Sequence, residues 1–170
     1  MPSFRRRLAG TLLAVSVAAA LAAPAFASRS EQRALVSERS ALVVQDNLFV
    51  WPADGTVTSP YGQRGRGFHP GIDIGMLRSL AVRAAAAGDV TGVGYLNGYE
   101  GYGLLVVVDI GNGYQLLYGH LSRSAVRAGQ QLEQGDPIGT AGCTGSCTGT
   151  HLHFELRRNG RWVDPTPFLP

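Results

Sequence analysis

The chain contains no lysine: all 15 of its basic side chains are arginine. That absence excludes any function in which a cofactor is carried on a lysine amine. Cysteine is almost as scarce, with only Cys143 and Cys147. A charge surplus is missing too. Three arginines, Arg5, Arg6 and Arg7, stand at the extreme N-terminus, and without them 12 arginines face 12 acidic residues. A chain balanced in this way gives no electrostatic case for nucleic acid. No segment after Gln45 has a convincing helical period, and residues 28–45 show neither an internal repeat nor a coiled-coil pattern.

What is present begins with an export signature. Arg5 to Arg7 form a positive n-region, Leu8 to Ala23 an apolar stretch, and Ala25-Phe26-Ala27 a small-x-small cleavage site, which together describe a secretory signal peptide over residues 1–27. An uncleaved anchor fits less well, because the apolar run is short, Ala-rich and closed by Pro24. No cysteine follows the cleavage site, so lipidation there is excluded. The arginine run hints at twin-arginine export without deciding between that route and the general one. Removing residues 1–27 leaves 143 of the 170 residues, enough for one domain with a buried core. Residues 28–47 read as a polar tail or linker, and 48–170 as the domain. The protein is expected in the periplasm, the cell envelope or the medium, with no membrane span after cleavage and a monomer as the default. In such a compartment Cys143 and Cys147, flanked by glycines, default to a disulfide. Their loop is so short that its chain-entropy stabilisation is at most about 2 kcal/mol. Its use is then to shape the loop that enters the next strand. A Cys/His zinc site fits poorly, since exported thiols oxidise.

From about Leu48 the texture changes to short apolar runs separated by glycine. Ala84 to Val93, Leu104 to Ile110, Tyr114 to Leu121 and His151 to Leu156 are strand-like, with turn signals at Asn97-Gly98, Gly111-Asn112-Gly113 and Arg158-Asn159-Gly160. The Asn112-Gly113 pair is the clearest hairpin, because both central positions of the favoured turn need positive φ. The expected class is mostly β, a single antiparallel domain with little helix.

The chemistry-bearing residues fall in three stretches. In Thr150-His151-Leu152-His153-Phe154-Glu155-Leu156, a strand's period of two puts His151, His153 and Glu155 on one face and Leu152, Phe154 and Leu156 on the other. Paired imidazoles suit a metal, or a metal ligand beside a general base. An isolated His-x-His is more often a coincidence, so the case rests on further ligands. His69 and Asp73 supply an imidazole and a carboxylate four apart in an extended segment, where Pro70 and Gly71 oppose a helix. Tyr118-Gly119-His120-Leu121 adds the fourth histidine. Glu155 reads as solvated or paired with an arginine. Tyr61, Tyr114 and Tyr118 read as groove lining or core filler.

These stretches, His69-x-x-x-Asp73, Tyr118-Gly119-His120-Leu121 and His151-Leu152-His153-Phe154-Glu155, resemble in order and spacing the LytM/lysostaphin-type zinc endopeptidases, the M23 peptidase family. Supporting matches are Ser59-Pro60-Tyr61-Gly62, Gly71-Ile72-Asp73-Ile74, Gly101-Tyr102-Gly103, Val126-x-x-Gly129-x-x-Leu132-x-x-Gly135 and Asp164-Pro165, so the resemblance covers about residues 48–168. It implies a LytM-type antiparallel β-sheet or sandwich-like domain. It implies one Zn2+ per chain on His69, Asp73 and His153, with His120 and His151 as unliganded catalytic histidines. Three protein ligands leave an open position, as a catalytic zinc requires, and zinc there activates water and polarises a carbonyl. His120 and His151 would then move protons or stabilise the oxyanion, their individual roles undivided. The implied substrate is peptidoglycan, cut at amide bonds of stem peptides or cross-bridges, with the choice of bond open. Three departures border the cleft: Met76 to Val82, Thr150 where proline is common, and the cysteine-containing loop. A rival reading within the family is a binding or activator module for a partner wall hydrolase, but all five site positions are intact. The glycine-rich β pattern also resembles biotinyl/lipoyl carrier domains, a reading that fails for want of a lysine.

Overall fold

A computed structural model describes residues 48–65 and 67–170. The expected signal peptide (1–27) and tail (28–47) lie outside the described residues. Glycine-punctuated runs of β-branched and aliphatic residues become strands β1 (Thr56–Ser59), β2 (Gly62–Arg64), β3 (Gly67–His69), β4 (Ile72–Gly75), β5 (Ala81–Arg83) and β6 (Gly88–Gly94). They continue as β7 (Leu104–Gly111), β8 (Tyr114–Ser124), β9 (Gln131–Leu132), β10 (Pro137–Ala141), β11 (Leu152–Arg158) and β12 (Arg161–Val163). The helical content among the described residues is two single 3₁₀ turns, Glu100–Tyr102 and Thr166–Phe168. No helix there is long and apolar enough to cross a membrane. The main sheet runs β1-β4-β11-β8-β7-β6-β9, with β12 on β11 and β10 joined to both β8 and β5. Its pairings are antiparallel, and β2 and β3 form a separate hairpin. Asn112 and Gly113 have φ of 52° and 76°, the two positive angles that turn β7 into β8.

The expected strand from Ala84 to Val93 is shorter in the structure. Ala84, Ala85 and Ala86 are buried, yet the strand begins at Gly88. The physical reason is where their N–H groups go. Ala84 donates to Asp136 O at 2.8 Å and Ala85 to the Tyr118 hydroxyl at 2.9 Å, so no ladder continues through them. An apolar run reports burial before it reports pairing.

β11 is the hub. Leu152, Phe154 and Leu156 are fully buried in the main core with Ile72, Ile74, Leu116 and Tyr118. His153 and Glu155 take the opposite face, and the register sets His153 against Asp73 of β4 and Gly119 of β8. Gly71 lets the β3–β4 link pass close over this strand, since a Cβ there would lie 2.3 Å from Phe154 O. Tyr118, a groove candidate in the sequence, is core instead: it is fully buried against Phe154, 5.3 Å between ring centroids. Tyr118→Phe removes the acceptor of the buried Ala85 N–H and is expected to cost about 1–3 kcal/mol. Urea unfolding with an unchanged slope checks it.

Candidate metal centre

The centre is built on Asp73. The register that faces β4 with β11 brings its Oδ1 to 2.8 Å from His153 Nδ1, while His69, at the end of β3, places Nε2 3.1 Å from the same oxygen. The two ring nitrogens are themselves 3.1 Å apart. Three donor atoms therefore form a nearly equilateral triangle. Ligands about 2.0–2.1 Å from a tetrahedral zinc stand roughly 3.3–3.4 Å from one another, so the triangle is one face of such a shell, slightly contracted. His69, Asp73 and His153 also form the group of candidate ligand atoms that lie within 4.8 Å of one another. His69 and His153 are buried, and the Asp73 side chain is 15% exposed.

The outer partners fix which nitrogens face inward. His69 Nδ1 lies 2.8 Å from the carbonyl of Pro60, and His153 Nε2 lies 3.0 Å from Glu155 Oε1. A proton donated to each of those acceptors leaves a lone pair on His69 Nε2 and on His153 Nδ1, both aimed at an anionic oxygen. Lone pairs converging in this way suit a cation, and outer hydrogen bonds of this kind are those that orient metal-bound imidazoles. Arg64 Nη2 also approaches His69 Nδ1, at 2.6 Å, and Asp73 Oδ2, at 3.0 Å. Arg64 and Pro60 O compete for that nitrogen. A cation that claims the Nε2 lone pair decides for Pro60.

The electrostatics agree. Burial pushes the Asp73 carboxyl up, but hydrogen bonds from His153, His69 and Arg64 outweigh it and hold it well below the usual carboxylate range. Burial pulls His153 down, and its bonds to Asp73 and Glu155 more than reverse this, so the two carboxylates favour positive charge at this position.

Glu155 was expected to be solvated or paired with an arginine. It is fully buried and paired. Arg157 donates to its Oε2 through Nε at 2.9 Å and Nη2 at 2.8 Å, and Tyr102 donates to Oε1. Arg157 reaches on to the hydroxyls of Tyr99 and Tyr102 at 3.2 and 3.1 Å. The strand parity that puts Glu155 beside His153 was the sequence signal for this support. Tyr102 stood in the Gly101-Tyr102-Gly103 match without an assigned role, and Tyr99, before the same turn, left no signal.

His120 and His151 stand outside the triangle but beside it. The His120 ring centroid is 4.7 Å from that of His151 and 5.7 Å from that of His153, and His151 Nε2 is 3.6 Å from Asp73 Oδ1. Strict alternation from the core residue Tyr118 would send His120 into the core. His120 instead adopts φ 60°, where the pairing of β8 slips against both β7 and β10, and this re-aims the ring to the site. Backbone carbonyls set both tautomers: His120 Nδ1–H donates to Thr144 O at 2.7 Å and His151 Nδ1–H to Gly149 O at 2.6 Å. Each ring is left with a free Nε2 lone pair. Burial, together with the neighbouring His151 and His153, pulls the His120 pKa down despite the Thr144 carbonyl, which favours a neutral ring at neutral pH. All five residues singled out in the sequence thus come together. Tyr61 is half-buried against the main core and meets the exposed Phe68 edge to face, 5.1 Å between centroids.

A family model described as peptidase family M23 matches residues 67–165, a span containing all five residues. The chain is 40% identical over 122 residues to the lipoprotein NlpD/LppB homolog of Pseudomonas aeruginosa, which covers 72% of this chain and 40% of that protein. It is 34% identical over 140 residues to the murein hydrolase activator EnvC of Escherichia coli, covering 81% of this chain and 33% of that protein. The chain therefore spans well under half the length of these curated relatives. Among solved structures, the catalytic domain of the antimicrobial peptidase lysostaphin from Staphylococcus simulans aligns with a TM-score of 0.56 at 32% identity, covering 67% of this chain and 89% of that one.

Glu155→Ala leaves the Arg157 guanidinium and the His153 Nε2–H facing each other without their shared carboxylate. The expected loss is about 3–5 kcal/mol. In a double-mutant cycle of denaturant midpoints, adding Arg157→Leu should recover part of it, because the stranded charge is gone.

Proposed function

Because the chain belongs to peptidase family M23, we propose that it is an exported zinc metalloendopeptidase that hydrolyses amide bonds in the stem peptides or cross-bridges of peptidoglycan. The observation that carries the reading is the convergence of three inward lone pairs, on Asp73 Oδ1, His69 Nε2 and His153 Nδ1, beside two histidines whose Nε2 atoms are free. His69, Asp73 and His153 would hold the ion. Bound there, zinc supplies Lewis-acid activation of water and of the scissile carbonyl.

The remaining steps belong to the chain's own side chains. A neutral imidazole with its Nδ1–H tied to a carbonyl accepts a proton only at Nε2, so His120 and His151 each offer one directed base. Once protonated, the same nitrogen is a donor for the leaving amine or for a developing oxyanion. His120, its pKa lowered by burial, stands as a neutral base at neutral pH. His151, 3.6 Å from Asp73 Oδ1, is placed to hold a proton beside a negative charge. Asp73 is kept ionised by its partners throughout this cycle, so it binds and orients and does not titrate.

Export is supported by the signal-peptide pattern of residues 1–27 and by the Cys143–Cys147 disulfide, a bond that persists in oxidising compartments. The second reading, a module that activates another wall hydrolase, is favoured by the description of EnvC as a murein hydrolase activator. The complete set of three ligands and two free histidines favours hydrolysis.

Two measurements test this. His153→Ala is expected to lose both bound zinc and activity, whereas His120→Ala should retain zinc and lose about 10²–10⁴-fold in turnover. Zinc analysis after dialysis separates them, and an empty site in His120→Ala would overturn the ligand assignment. Mass spectrometry of fragments released from purified peptidoglycan should show new amide cleavages that a zinc chelator abolishes. An unchanged wall with folded, zinc-loaded protein would favour the activator.

A further inference from the structure

The Cys143–Cys147 disulfide closes a five-residue ring whose interior residues are tied to the site by the backbone. Thr144 makes most of these ties. Its hydroxyl donates to Leu121 O at 2.8 Å and accepts from Leu104 N–H at 2.9 Å, and its carbonyl receives the His120 Nδ1–H at 2.7 Å. Ser146 N–H donates to Gly101 O at 2.9 Å. Gly145 and Gly103 pack backbone to backbone: a Cβ on Gly145 would lie 2.4 Å from Gly103 N, and one on Gly103 2.4 Å from Thr144 C. The ring is thus seated on the Glu100–Tyr102 turn without spare room. Beyond the bridge the chain turns back at once, so that Cys147 Sγ lies 3.0 Å from Gly149 O and 3.8 Å from His151 Nδ1. Gly149 O is the acceptor that sets the His151 tautomer.

His120 is the residue most dependent on this arrangement. Its φ of 60° is a backbone state that surroundings must impose on a residue with a side chain, and the Thr144 carbonyl is the hydrogen-bond partner recorded for its ring. A ring this short restrains the unfolded chain little, so the effect of the bridge is local. The metal corner draws on other elements, β3, β4 and β11, and none of its hydrogen bonds runs through residues 143–149. Cys143 is exposed and Cys147 half-buried, so the bridge is open to attack by a thiol.

We propose that the Cys143–Cys147 disulfide is a positioning element for His120 and His151, and that its reduction switches turnover down while leaving the metal corner loaded. This rests on the hydrolase reading above. The chemistry balances with an external dithiol as reductant. One of its thiolates attacks a cystine sulfur, the S–S bond breaks to a mixed disulfide, and the second thiolate displaces the protein sulfur. Two electrons and two protons end on Cys143 and Cys147, and the dithiol leaves as its own disulfide. Freed of the bridge, Thr144 O and Gly149 O lose their fixed placement, and the two imidazoles lose the acceptors that hold their protons on Nδ1.

The test compares oxidised wild type, wild type reduced with a phosphine that does not strip zinc, and Cys143→Ser/Cys147→Ser, all zinc-loaded. The readouts are kcat and KM on wall-derived peptides, zinc content, and the His120 Nδ1–H resonance in nitrogen-resolved NMR. Both bridge-free forms should lose about tenfold or more in kcat, a part of the roughly 10²–10⁴-fold that positioned acid–base groups contribute, with KM and zinc content unchanged. The resonance should vanish or shift, and reoxidation should restore the wild type but not the serine variant. Unchanged kcat, or a loss of zinc in parallel with activity, overturns the proposal. If the serine variant does not fold, the reduced wild type carries the comparison. If oxidised wild type cleaves no amide, the hydrolase reading is what fails, and the resonance decides the positioning claim: kept on reduction, the claim is overturned; lost, it stands.

Discussion

Asp73 Oδ1, His69 Nε2 and His153 Nδ1 are held within 3.1 Å of one another, an arrangement of electron-rich atoms that a shared proton or a cation has to bridge. The rest of the site is a response to that constraint. The three atoms come from three strands, and the register of β4 and β8 on β11 is what makes their approach possible. Outside them stand the groups that keep each ring turned the right way: Pro60 O behind His69 and Glu155 behind His153, with Arg157 and Tyr102 holding Glu155 in turn. Among the described residues every buried side-chain nitrogen or oxygen has a partner, so this polar inlay costs the core little.

The site separates into two halves with different mechanical supports. The metal corner is carried by the sheet itself. The free histidines depend on loop carbonyls, those of Thr144 and Gly149. The candidate ligands are thus as rigid as the core, while the other two imidazoles are oriented by a loop that the Cys143–Cys147 bridge closes. The division means that disturbing the second half need not disturb the first.

How much of this was legible in the sequence follows from the physics of each element. β11 was readable because its period of two is strict from Leu152 to Leu156, with three core residues and two site residues alternating. The β7–β8 hairpin was readable because Asn112-Gly113 is chemistry that few other pairs supply. His120 is different. Its place in the cluster followed from the resemblance, while parity alone would have grouped it with Tyr118, which is core; the positive φ that separates them leaves no mark in composition. The burial of Glu155 was hidden because its partner Arg157 lies on the same strand face and its other partner, Tyr102, arrives from a distant turn. Thr144 O and Gly149 O were invisible for a simpler reason: every residue has a carbonyl, and only the fold says where it points.

The residue-by-residue alternation along β11 has one more consequence. Each inward-facing histidine or carboxylate there is flanked by fully buried leucine or phenylalanine, so the strand cannot peel away from the site without also leaving the core. Local opening of the kind that exposes loops and edges to attack is closed to it. Its amides should exchange with solvent only through global unfolding. In surroundings rich in peptidases, this strand would be among the last parts of the domain to be digested.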